Sequence, residues 1–97
     1  MNVIFSPLSE NDLEAIGDYI AADNPHRAVS FIREMHEHCQ KIADMPEAAP
    51  LREDIMPNVR MAAHGNFLIF YRVVEQDVRI ERILHGARNI QALLQQV

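Results

Sequence analysis

Arginine and histidine give this chain most of its capacity for chemistry. Eight of the nine basic residues are arginine, and there are five histidines. Arg60, Arg82 and Arg88 fall in the second half of the sequence, with His64 and His85 beside them. Guanidinium groups make planar, two-pronged contacts with carboxylates and phosphates. Histidine titrates near neutrality and can move a proton. Such a set suits either a grip on a charged macromolecule or acid–base work on a phosphate. Solubility of a sheet surface is the plainer role for the same arginines.

Other candidate constellations have plain explanations. His36 and His38 are two apart on a predicted helix, so they face different directions and chelate poorly. There is no C-x-x-C or H-x-x-x-H pattern, and no metal site is expected. The only glycines are Gly17, Gly65 and Gly86, so no phosphate-cradling loop and no cofactor are expected. Cys39 lies on an apolar helical stripe and reads as core. Glu10, Asp12 and Glu14 suit the positive end of a helix. Phe67, Phe70 and Tyr71 alternate faces of a strand and read as packing, not as a base-stacking platform.

The elements that must position these residues follow from periodicity. Val3-Ile4-Phe5 reads as a first strand, ended by Pro7. Ser9 is the expected N-cap of a first helix, with Asp12 three residues on and Leu8 and Leu13 at the staple positions. That helix runs to about Ala22, with Leu13, Ile16 and Ile20 on one face. Asn24-Pro25 starts a second helix, expected from about Pro25 to Asp44. Its stripe is Ala28, Phe31, Ile32, Met35, Cys39, Ile42 and Ala43.

The short link between the helices predicts an antiparallel hairpin. A proline-rich loop follows over 46–58. Val59–His64, Phe67–Val74 and Val78–His85 then read as three antiparallel strands joined by short turns. Ile90, Leu93, Leu94 and Val97 predict a short terminal helix or docked tail. The expected fold is α+β, in the order β-α-α-β-β-β-α, with a helical hairpin on one face of a small antiparallel sheet. Two-residue alternation puts Arg82 on the face of Val78, Ile80 and Leu84.

Length and charge bound the function. The 97 residues suit one domain, 1–97, and the net charge of −5 argues against a general nucleic-acid coat. Residues 1–50 are acidic, whereas residues 51–97 carry six arginines against five acids. One cysteine excludes an internal disulfide framework. MNVIFSPLSEND has no basic n-region and no apolar run, so no signal peptide or membrane span is expected. The expected compartment is the cytoplasm.

Three stretches in order carry a resemblance: DLEAIGDYIAADNPHRAVSFI, MPEAAPLREDIMPNVRM and FLIFYRVVEQDVRIERILHGARNIQALL. The sequence resembles the ParE branch of the RelE/ParE toxin superfamily, from bacterial type II toxin–antitoxin modules. The marked features are the acidic first helix leading to Asn24-Pro25, the Pro57-x-x-Arg60 step, Phe70-Tyr71-Arg72, and Leu84-His85-Gly86-x-Arg88. The resemblance implies a RelE-like fold and a toxin that poisons DNA gyrase. It also implies a cognate antitoxin, ParD-like or of another type II family, that wraps the toxin. Sequence-specific DNA binding would then belong to the antitoxin.

RelE-type relatives instead cut mRNA on the ribosome, using basic residues on the sheet and a tyrosine near the C-terminus. Here the tyrosine position falls near Leu94, which moves no proton. The lysine pair ahead of the sheet is missing, and the only lysine, Lys41, is on the second helix. The expectation is therefore a binding toxin with no catalytic residue. Candidate target contacts are Arg60, Arg82, His85 and Arg88. Candidate antitoxin contacts are Leu13, Ile16, Ile20, Phe31 and Arg72. An mRNA endonuclease, or a non-toxic relative that still binds its antitoxin, are the alternatives.

Overall fold

The first residues after the opening strand decide how the chain turns into its first helix. In the computed structural model, which describes residues 1–94, strand β1 spans Asn2–Phe5 and helix α1 spans Pro7–Ala21. The N-cap is Ser6 rather than the expected Ser9, because Pro7 has the φ preset for a first helical residue. The Ser9 N–H donates to Ser6 Oγ at 3.0 Å, and Ser9 Oγ donates to the Ser6 carbonyl at 2.8 Å. Asp12 is thereby free of any capping duty.

Helix α2 spans Pro25–Asp44 and starts as expected, with Asn24 accepting from the Arg27 N–H at 3.0 Å. Strands β2 (Arg60–His64), β3 (Phe67–Val74) and β4 (Asp77–His85) form the antiparallel meander, and helix α3 spans Ile90–Leu94. The expectation for Val97 lies outside the described residues. The element order is the expected one.

The sheet is mixed rather than wholly antiparallel. Its strand order is β1-β4-β3-β2, and β1 runs parallel to β4. A parallel neighbour needs a long crossover, and here everything from α1 to β3 supplies it. Ser6 closes the junction. Its N–H donates to the Ile80 carbonyl at 3.0 Å, and its Oγ donates to the Glu81 carbonyl at 2.7 Å.

A β-bulge corrects the expected face of Arg82. Tyr71 pairs with Ile80 and Phe70 pairs with Arg82, so Glu81 is the extra residue. The alternation shifts by one at that point. Val78, Ile80 and Ile83 therefore share the helix-facing core with Ile69 and Tyr71. Arg82 and Leu84 lie on the opposite face with Phe70. Glu81 is only 2% exposed and is paired with Arg72 at 2.6 Å and Arg79 at 3.0 Å. Two arginines around one carboxylate let that charge be buried.

Both sheet faces are covered. The α1–α2 hairpin supplies Leu13, Phe31, Met35, Cys39 and Ile42 to the first core. A smaller second core joins Val59, Phe70, Leu84 and Leu94, with Ile55, Met56 and Ile90 packed around it. At the β2 end, His38 of α2 meets His64, with the two Nδ1 atoms 2.8 Å apart. Burial, then the neighbouring His64 and Lys41, hold the His38 pKa below its ordinary value of 6.5. None of the helices among the described residues is long and apolar enough to cross a membrane.

Two outcomes follow for stability. Met35 is 0% exposed, so Met35→Ala is expected to cost about 2–5 kcal/mol in urea denaturation. Exposed Val29→Ala should stay within about 0.5 kcal/mol. Folding favours neutral His38, so the unfolded chain takes up the proton more readily. Stability should therefore fall as pH drops below about 6.5 and towards the lower folded pKa. His38→Gln should flatten that part of the pH profile.

Candidate functional site

Beyond Ile80 the β1 side of β4 has no neighbouring strand among the described residues, and α1 approaches this bare edge instead. Asp12 makes the contact. Its carboxylate accepts from Arg82 Nε and Nη2, both at 2.8 Å, and from the Ile83 N–H at 3.0 Å. The third Arg82 bond, from Nη1, goes to the Leu93 carbonyl at 3.2 Å. Arg82 is 6% exposed, and the Asp12 carboxylate raises its pKa further above the ordinary arginine value. Two donors in one plane onto one carboxylate is the geometry arginine favours.

The space between α1 and this edge is a groove of about 340 Å³. From α1 it is lined by Asp12, Ala15, Ile16 and Tyr19. Phe67, Ile83, Leu84, His85 and Arg88 line the sheet side. Its walls are mostly apolar and its rim is polar. Tyr19 is 82% exposed, a large aromatic ring held in water at the groove mouth.

His85 is exposed, and its Nδ1 accepts from the Ala87 N–H at 3.1 Å. That bond assigns the ring proton to Nε2, leaving a donor on the rim. The ring stands edge-on to Phe67, with centroids 5.3 Å apart. The Arg88 backbone N–H donates to the His85 carbonyl at 3.1 Å, closing the turn after β4. The Arg88 guanidinium is exposed, with no side-chain partner among the described residues.

The expected target contacts therefore separate. His85 and Arg88 meet at the groove rim. Arg82 is buried against Asp12, outside the groove lining, and positions α1 rather than offering a contact. Arg60 lies at the far end of the sheet, where its Nη1 donates to the carbonyls of Ala49 at 2.7 Å and Glu47 at 3.1 Å. It ties down the connecting loop, beside a second hollow of about 470 Å³ that also includes Arg72 and Leu51.

The expected antitoxin contacts also separate. Ile16 lines the groove, and Ile20 is half-buried against the core. Leu13 and Phe31 are buried inside it, so they support the surface without forming it. Arg72 is on the opposite sheet face with Glu81. The sequence reading missed Tyr19 and Asp12 as site residues. Tyr19 was detectable as an aromatic off the apolar stripe. Asp12 was hidden by its plausible role as a cap.

Of the groups that could do acid–base or nucleophilic work, His85 and Tyr19 stand exposed at the groove, whereas Asp12, Tyr71 and Cys39 are occupied or buried. Asp12 is fully engaged. Tyr71 donates its hydroxyl to the Pro46 carbonyl at 2.7 Å, and burial raises its pKa. Burial pushes the Cys39 thiol up to about 12, so it stays protonated at neutral pH. Leu94 is buried in the second core. No group of three or more metal-ligating side chains converges among the described residues.

Asp12→Ala would strand a buried guanidinium and the Ile83 N–H. Such losses cost about 3–5 kcal/mol, and urea denaturation should show a destabilisation of that size. Arg82→Met combined with Asp12→Ala should recover most of it, because the uncompensated charge is then gone. Equal, additive losses in the double-mutant cycle would show that the pair does not couple.

The geometry agrees with comparisons to known proteins. No curated protein matches the sequence. A toxin–antitoxin structure described as the chromosomal ParDE system from P. aeruginosa contains a similar chain, with a TM-score of 0.77 at 22% identity. The match covers 88% of this chain and 95% of that one. The RelBE2 toxin–antitoxin complex from Mycobacterium tuberculosis contains another, with a TM-score of 0.65 at 21% identity. There the match covers 87% of this chain and 95% of the other. At such identities these likenesses establish the fold. The family model for the ParE toxin of the type II toxin–antitoxin system parDE matches residues 3–90. The chain therefore belongs to the ParE toxin family of type II toxin–antitoxin systems.

Proposed function

We propose that this toxin acts by binding DNA gyrase without chemistry of its own, and that a cognate antitoxin neutralises it by covering the α1–β4 groove. The observation that carries the reading is the state of the groove. Its rim offers a cation at Arg88, a donor at His85 and an aromatic ring at Tyr19. The carboxylate within it, Asp12, is held by three hydrogen bonds. A cutting site needs a free base, a free acid and cations converging on one phosphate. Here Arg60 is at the other end of the sheet and Tyr71 is tied to a loop carbonyl.

The groove also supplies a physical reason for neutralisation. Ile16 and Phe67 offer an apolar floor for an amphipathic segment of a partner, while Arg88 suits an acidic one. A segment lying there would cover His85 and Arg88 together. Toxin and antitoxin functions would then compete for one surface, which needs no long-range coupling.

Purified protein is expected to inhibit gyrase supercoiling or trap cleaved DNA. Arg88→Glu and Tyr19→Ala should each weaken that inhibition about tenfold or more, roughly 1.4 kcal/mol. The same variants should lower antitoxin affinity, whereas exposed Val29→Ala should leave both unchanged. Normal supercoiling at large excess of folded protein, with codon-positioned cuts in translated mRNA, would overturn this reading in favour of a RelE-type endonuclease.

A further inference from the structure

His38 and His64 take no part in the groove, and 26 residues separate them in sequence. The fold brings their Nδ1 atoms to 2.8 Å, with ring centroids 5.1 Å apart and an interplanar angle of 42°. Two imidazole nitrogens at that distance share one proton, one ring donating and the other accepting. Moving that proton to Nε2 of its own ring leaves two neutral imidazoles whose Nδ1 lone pairs face a common space. Neutral imidazole in that state is a metal ligand.

The spacing is close to what one ion requires. Two metal–nitrogen bonds of about 2.0–2.1 Å span about 2.9 Å when they meet at a right angle, and about 3.3 Å at the tetrahedral angle. The observed separation of 2.8 Å is close to the first value, and binding requires each ring to turn so that its lone pair meets the shared ion rather than the other nitrogen. The right-angled arrangement belongs to octahedral and square-planar ions.

The two rings are held on rigid elements. His38 lies well inside α2, and His64 is the last residue of β2 before the two-residue turn at Gly65. Phe31 stands edge-on to His64 at 5.5 Å, which limits rotation of that ring. Both histidines are half-buried, so water can reach the remaining coordination positions. The nearby charges oppose one another. Glu34, one turn before His38, lies within the field of His64, whereas Lys41 acts against positive charge on His38.

We propose that His38 and His64 form a two-histidine site for a divalent first-row transition ion, with water completing its shell. The ion would clasp α2 to the end of β2, where His64 pairs in register with the groove residue Phe67. Its two ligands are distinct from the residues of the proposed gyrase contact. It was invisible in the sequence because its ligands come from a helix and a strand joined only by the fold.

The test uses the full-length chain, stripped of metal by a chelator, with Ni²⁺ as the probe. An ion that binds only the folded state raises the melting temperature, here by an expected 5 °C or more, roughly, at saturating Ni²⁺. His38→Gln and His64→Gln should each abolish the rise, while His26→Gln, on the exposed start of α2, should retain it. The rise should shrink as pH falls, because protons compete with the ion for the ring nitrogens. An undiminished Ni²⁺ response in His64→Gln would overturn the proposal. So would a wild-type chain whose melting ignores Ni²⁺ at neutral pH, which would leave the pair as a hydrogen bond and nothing more.

Discussion

The carboxylate of Asp12 is the contact on which the working surface depends. Sheet β4 presents a bare edge where β1 stops, and exposed edges are hazards for soluble proteins. Asp12 covers that edge by accepting the Ile83 N–H and both prongs of Arg82. Arg82 then reaches the Leu93 carbonyl, so α1, β4 and α3 meet at one guanidinium. The groove exists because α1 is held at this distance rather than collapsed onto the sheet. Packing alone would not fix that spacing, since the apolar residues of α1 are satisfied by α2 and the first core.

Arginine serves three separate purposes here. Arg72 and Arg79 neutralise the buried Glu81, Arg60 gathers loop carbonyls, and Arg82 fastens a helix. Only Arg88 among the expected target contacts keeps its guanidinium for another molecule. The arginine bias of the second half is therefore mainly architectural. A rigid fork with several donors is well suited to such work, because one guanidinium can bond groups on more than one element, as Arg82 does.

Local and periodic features were legible in the sequence. Asn24-Pro25 and the α2 stripe identify that helix because cap, proline and apolar spacing all agree. The meander was legible because strands and turns alternate cleanly from Arg60 onward. What failed was one local choice between two caps and several non-local features. Ser9 and Asp12 mimic a capping box, but Pro7 moves the start of α1 back to Ser6. The extra residue at Glu81 leaves no mark on composition, yet it reverses the face of Arg82. The parallel pairing of β1 was likewise unreadable, because strand direction depends on the whole crossover. Of the candidate site, His85 and Arg88 were found from their motif, whereas Tyr19 and Asp12 required the approach of α1 to β4.

That parallel strand also imposes an order in time. β1 is synthesised before anything else in the domain, yet its hydrogen-bonding partner is β4, and Ser6 meets Glu81 across 75 residues of sequence. The helical hairpin has only local contacts to make and can form early, whereas the β1–β4 pairing is of high contact order. A nascent chain that ends before Ile83 has helices but no bare edge, no bond for Asp12 and no groove. The groove, and with it the proposed partner surface, is therefore withheld from partial chains by topology itself, and it appears only once the final strand has been placed.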